Sequence, residues 1–185
     1  AGHETTVNLI GNGMLALLEH PDQIEKLRDD PALIKPAVEE LLRYASPVET
    51  ATERYTREDI TIAGVTIPRG ALVYAAIASA NRDERQFVNP DTLDITRQPN
   101  RHLAFGQGMH YCLGAPLARL EGQIAINTLL RRSRDLRLAV APGAVRWRRG
   151  LALRGLEALP VAWARPQVAV QNGSERGALR TREVL

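Results

Sequence analysis

The sequence predicts a mainly α fold with small β-sheets, and three observations carry the prediction. Apolar residues recur at helical spacing in three separate segments, residues 1–19, 36–45 and 115–132, the pattern of helices that bury one face. Alternation of period two appears only in short runs, too short for a large sheet. Between these, residues 76–110 carry Asn, Asp, Pro and Gly at close intervals, the composition of an ordered loop. A chain of 185 residues, 44% of them hydrophobic, suffices for one core. Residues 1–165 read as one domain portion, and residues 166–185, polar and aperiodic, as a disordered tail.

The first helix covers residues 1–19, with Thr6, Ile10, Gly13 and Leu17 along one face. It ends at His20, because a residue before proline is pushed out of the α region. No capping residue precedes it, so it reads as a helix already under way, with an N-terminal part of the protein missing. A short helix follows at residues 22–28. Pro36 suits the first turn of a helix reaching residue 45, whose buried stripe is Val38, Leu41, Leu42 and Ala45. Ile60-Thr61-Ile62 and Val65-Thr66-Ile67 flank Ala63-Gly64 as a β-hairpin closed by Pro68, and residues 72–75 read as a third strand. A short helix near residues 76–82 interrupts the long loop. After Gly114, the stripe Leu117, Leu120 and Ile124, with Leu129 behind it, signals a long helix to about Arg132. Short strands are expected at residues 136–140, 151–153 and 160–163.

Several function classes recede on composition. No run of about 18 uncharged apolar residues occurs, which argues against a spanning helix, and no basic-then-apolar leader opens the chain. A single cysteine forms no internal disulfide, in keeping with a cytoplasmic protein. The net charge of +3 comes from the end of the chain, because arginines outnumber acids ten to four after residue 133. With 4% aromatic residues and no base-stacking pattern interleaving those arginines, solvated surface is the reading, not nucleic-acid binding.

The segment that carries chemistry is Phe105-Gly106-Gln107-Gly108-Met109-His110-Tyr111-Cys112-Leu113-Gly114. It puts Cys112 at the N-terminus of the long helix, where free N–H groups and the helix dipole favour a thiolate able to bind metal. Glycines at 106, 108 and 114 let the backbone turn tightly and lie close to a flat group. A lone cysteine is more often a small buried hydrophobe. A zinc site from Cys112, His110 and His102 is a further option, without the paired spacing of structural zinc modules.

This segment resembles the haem-binding signature of cytochromes P-450, Phe-Gly-x-Gly-x-His-x-Cys-x-Gly, with every fixed position filled. Three other stretches resemble the family in the same order. Ala1-Gly2-His3-Glu4-Thr5-Thr6 is similar to its distal-helix motif. Glu40-Leu41-Leu42-Arg43 is similar to its Glu-x-x-Arg, although Glu39 with Arg43 makes an equally ordinary i, i+4 bridge. Thr52-Glu53-Arg54-Tyr55 stands where the family has a propionate-binding arginine.

The resemblance implies haem b held by Cys112 as axial ligand of the iron, with Phe105, Gly106 and Gly114 beside it and Arg54 and His110 on the propionates. It implies that Glu4 feeds protons and Thr5 hydrogen-bonds the oxygen being activated, and that Glu40, Arg43 and Arg97 brace the core. It further implies a soluble monooxygenase acting on a small organic substrate, with electrons passing from NAD(P)H through a ferredoxin or flavodoxin and its reductase to the face near Arg119. The opening phrase is similar to actinomycete enzymes that hydroxylate macrolides and related natural products. Complete members are about twice as long, so the chain reads as the C-terminal portion of such an enzyme. A non-catalytic haem-binding remnant is the alternative.

Overall fold

The computed structural model describes residues 2–133 and 135–164 and, as backbone, residues 180–184. Three long helices make the body: α1 (Glu4–Glu19), α3 (Ile34–Tyr44) and α5 (Ala115–Arg132), with α2 (Pro21–Asp29) joining the first two. Pro21 ends α1 and opens α2, because proline cannot supply the next intrahelical N–H but fits a first turn. The core collects Leu9, Met14 and Leu17 of α1, Val38, Leu41 and Leu42 of α3, and Ile126 and Leu130 of α5. α1 is buried over most of its circumference. Gly13 is one reason the packing is so close: a Cβ there would stand 3.1 Å from Leu41 Cδ1.

α5 is helical as expected, but the stripe that signals it is not its buried face. Leu117, Leu120 and Ile124 are 58%, 52% and 58% exposed, whereas Ala115, Gly122, Ile126 and Leu130 are buried. The reason is steric. α1 and α3 approach α5 where it has no side chain, and a Cβ on Gly122 would lie 3.2 Å from Leu9 Cδ2 and 3.5 Å from Val38 Cγ1.

The sheets are small, as predicted. β2 (Ile60–Ile62) and β3 (Val65–Ile67) pair in register across Ala63 and Gly64, both at positive φ, the twist a two-residue hairpin needs. β4 (Leu72–Val73) pairs not with that hairpin but with β1 (Arg54–Tyr55). Residue 153 makes an isolated bridge to Val48 rather than a strand. α4 (Ile77–Ala80) is the short helix of the long loop. The last sheet orders β5 (Arg137–Leu138), β6 (Leu159–Trp163) and β7 (Arg180–Val184), all antiparallel. β7 departs from the tail reading for residues 180–184: β6 offers it a row of backbone partners, and a sequence without alternation gives no sign of that. The expectation for residues 166–179 falls outside the described residues.

The Glu40 cluster fits the bracing role. The Arg43 guanidinium binds both Glu40 oxygens at 2.8 Å, and Arg97 Nε donates to the same pair at 3.1 Å each. Arg43 also donates to the carbonyls of Asn81, Pro90 and Thr92. Asn100 and the Asp94 N–H complete the Glu40 shell. Glu40 and Arg43 are fully buried. Arg43 pairs with Glu40, so the alternative bridge to Glu39 does not form.

Candidate functional site: the cysteine loop

The loop is built from both ends inward. At its start, the buried Asn81 accepts the Leu103 N–H on Oδ1 (2.7 Å) and donates through Nδ2 to Ser46 Oγ (3.0 Å), tying the loop to the end of α3. Gly106 and Gly108 then take φ of 72° and 76°, left-handed values that strain any residue with a Cβ. The loop closes where Cys112 N–H donates to Phe105 carbonyl oxygen at 2.9 Å, and the Cys112 carbonyl in turn accepts Ala115 N–H in the first turn of α5. Cys112 is free and exposed, with its Sγ beside Gly114, where a Cβ would stand 3.9 Å from it.

Behind the loop stands a network that the sequence reading did not anticipate. Glu39 receives Arg119 through Nε on Oε1 (2.7 Å) and Nη2 on Oε2 (2.9 Å), and His102 Nε2 lies 3.0 Å from that same Oε2. His102 Nδ1 accepts the Ala104 N–H, so Nε2 is the ring nitrogen that donates to the carboxylate. Arg119 Nη1 reaches Tyr111 Oη at 3.0 Å, and its guanidinium lies 4.5 Å from the Phe105 ring centre. Burial pushes the Glu39 carboxyl up, but hydrogen bonds from His102 and Arg119 outweigh it and bring its pKa down to about 2. The same Glu39 bond raises the Arg119 pKa further. The one available signal for Glu39, two consecutive glutamates on α3, was read only as an alternative partner for Arg43.

The other predicted residues occupy separate places. His110 is exposed in a helical turn of residues Gly108–His110. Arg54 is exposed on β1, and its Nη1 turns back to the carbonyls of Thr52 and Glu53 and to Thr52 Oγ1. Glu4 and Thr5 open α1, with Glu4 3.6 Å from Arg148. Leu9 lies against Gly122, while Ile10 and Met14 line one apolar cleft with Leu129 and Ser133. α1 and α5 therefore run in the same sense, and Glu4-Thr5 and Cys112-Gly114 sit at the same end of the body. The zinc option loses its ligand set: His102 is committed to Glu39, and among the described residues no three His, Cys, Asp or Glu side chains are grouped to hold a metal.

Fold and loop together define a class: a helical protein that presents one exposed cysteine sulfur on a glycine loop just before a long helix. The sequence model of the cytochrome P450 family matches residues 1–134, and the chain belongs to that family. It is 56% identical over 162 residues to the polyketide biosynthesis cytochrome P450 PksS of Bacillus subtilis (strain 168), covering 88% of this chain and 40% of PksS. With the cytochrome P450 monooxygenase PikC of Streptomyces venezuelae it shares 52% identity over 169 residues, 91% of this chain and 41% of PikC. Among solved structures, the tirandamycin C-bound P450 monooxygenase TamI superposes with a TM-score of 0.85 at 52% identity, covering 86% of this chain and 40% of TamI. The chain thus has the P450 fold over its matched part and spans about 40% of the length of these relatives. The family is one of haem monooxygenases. No helix among the described residues is long and apolar enough to cross a membrane.

Proposed function

We propose that this chain is the C-terminal, haem-carrying portion of a cytoplasmic cytochrome P450 that hydroxylates a small natural product, with Cys112 as the axial ligand. One observation carries the reading: an exposed thiol is held by a glycine loop just before the first turn of α5, behind two left-handed glycines. The donor set suits haem. Cys112 would hold the haem iron through its sulfur, and a thiolate donor would favour O–O cleavage. When bound, the haem supplies the activation of O₂, of which one atom enters a C–H bond and the other leaves as water.

The chain's own residues bind, orient and manage protons. Arg54 and His110 hold the propionates; Arg54 keeps Nε and Nη2 outside the turn it makes with Thr52 and Glu53, and a guanidinium binds carboxylates in fork geometry. Phe105, Gly106 and Gly114 shape the loop around the sulfur. Glu4 and Thr5, at the same end of the body as Cys112, deliver protons. Electrons come from NAD(P)H through a ferredoxin or flavodoxin and its reductase, docking on the loop face of α5 near Arg119. The names of the relatives, among them a polyketide cytochrome and a vitamin D(3) 25-hydroxylase of Pseudonocardia autotrophica, support a natural-product substrate class.

The test is Cys112→His in the protein carrying its upstream sequence. The variant is expected to keep some haem while losing both the thiolate-type CO band of the reduced protein and oxygenation. Retention of both would remove Cys112 as the ligand. A wild type that shows the thiolate band but turns over nothing would establish the haem-binding remnant instead.

A further inference from the structure

Resting on the assignment of Cys112 as haem ligand, we propose that Glu39 and Arg119, with His102 and Tyr111, form a clamp that positions the cysteine loop. Arg119 is thus a positioning residue and not itself a charge displayed to an electron donor. The argument begins with what the loop lacks. Two of its residues, Gly106 and Gly108, hold left-handed conformations, and glycine loses more conformational freedom on ordering than any other residue. The single bond from Cys112 N–H to the Phe105 carbonyl closes the loop without stating which way the closed loop leans on the helix.

One guanidinium supplies that information. Arg119 lies seven residues beyond Cys112, about one turn into α5, which begins at Ala115. It stacks on Phe105, whose carbonyl receives the Cys112 N–H, and it donates to Tyr111, the residue directly before Cys112. Its remaining donors grip Glu39 in a two-point fork. Glu39 Oε2, which accepts Arg119 Nη2, also takes His102, at the loop's entry, whose side chain is 3% exposed. Residues 102, 105 and 111 are thereby referred to one carboxylate on α3. An ordinary surface ion pair contributes little; this one is bidentate, stacked on a ring and shared with a buried histidine. Its guanidinium is engaged on three sides, by Glu39, Tyr111 and the Phe105 ring, although 29% of the side chain stays exposed.

The experiment uses Glu39→Gln, Arg119→Gln and Arg119→Lys, with two readouts. In the haem-free protein, amide hydrogen exchange at Cys112 and residues 103–111 is expected to quicken about tenfold in each Gln variant, while the amides of α1 and α3 hardly change. The double variant adds little to either single one, because both break the same unit. In the haem-loaded, reduced protein, part of the CO spectrum moves from the thiolate-type band to the shorter-wavelength band of haem without thiolate. Lysine does not restore either property, since an ammonium cannot make the fork and reach Tyr111 as well. If the Gln variants unfold, Tyr111→Phe removes a single contact and is expected to show the same loop-confined change, smaller in size. Unchanged exchange and an unchanged CO band, with weaker binding of the electron donor, would overturn the clamp and make Arg119 a docking residue. A wild type that binds no haem would sink the ligand assignment, while the exchange readout would still decide the clamp.

Discussion

Glu39 and Glu40 are neighbours on one helix, yet they serve two different regions. Successive residues on an α-helix point about 100° apart, so Glu40 enters the core and Glu39 faces α5 and the loop. Around Glu40 the charges are sealed: Arg43 is fully buried with it, and Arg97, Asn100 and a backbone N–H fill the remaining positions. Around Glu39 they are half open, with Glu39 and Arg119 retaining 28% and 29% side-chain exposure. The contrast shows how burial assigns a role to the same pair of functional groups. A sealed cluster has one acceptable arrangement and acts as scaffold. A half-open one can yield locally and so governs a loop without holding up the fold.

The largest effect should follow from breaking the sealed cluster. Arg43→Ala removes two of the six hydrogen bonds to buried Glu40 and leaves the Asn81 and Pro90 carbonyls without the guanidinium that donates to them, and should cost about 3–5 kcal/mol, the penalty for breaking a buried ion pair by removing one partner. Against the about 5–15 kcal/mol that holds a domain together, that is a large share of the stability and should appear as a marked fall of the midpoint in a denaturant titration. An Arg43→Ala variant as stable as wild type would show the cluster to be dispensable.

Arg97→Ala should cost less, about 1.5–3 kcal/mol, because Arg43 still pairs with Glu40 and the other bonds lost, to the carbonyls of Val88, Asn89 and Thr92, are solvent-exposed. The separate unfolding midpoints of the two variants check the order, and equal losses would contradict it.

Glu39→Gln should cost about 1 kcal/mol at neutral pH, with its sign visible in the pH dependence. The folded-state pKa of Glu39 is about 2 against an ordinary value of 4.5. A lowered carboxyl pKa contributes stability that is fully present above the ordinary value and is lost as pH falls through the folded one. The difference in stability between wild type and Glu39→Gln should therefore be flat above about pH 5 and shrink between about pH 4.5 and 2. A difference independent of pH would separate Glu39 from its two donors.

The smallest effect is expected for Arg148→Ala. Its pair with Glu4 is 3.6 Å long and about half exposed on both sides, so the change in global stability should lie within about 0.5 kcal/mol. A larger loss would mean that the start of α1 is held from outside more firmly than its geometry indicates.

Much of this molecule was legible in the sequence because local rules govern it. Pro21 separates α1 from α2, Ala63-Gly64 turns the hairpin, and α5 begins directly after Gly114, each through backbone geometry that neighbouring residues impose. The candidate ligand was legible for a related reason. A thiol at a helix start with glycines before it is a contiguous pattern, and the structure keeps it contiguous. The association of Glu40 with Arg43 is also local, being an i, i+3 pair.

What only the tertiary structure decided depends on which surfaces meet. Sequence periodicity marked Leu117, Leu120 and Ile124 as the apolar stripe of α5, but packing chose the face of Ala115, Gly122 and Ile126, because contact between helices is limited by how closely backbones approach and glycine permits the closest approach. Likewise, no spacing rule joins Glu39 to Arg119, eighty residues away, or β7 to β6. Such pairings arise when separate segments are brought side by side, and a one-dimensional pattern holds no record of that neighbourhood.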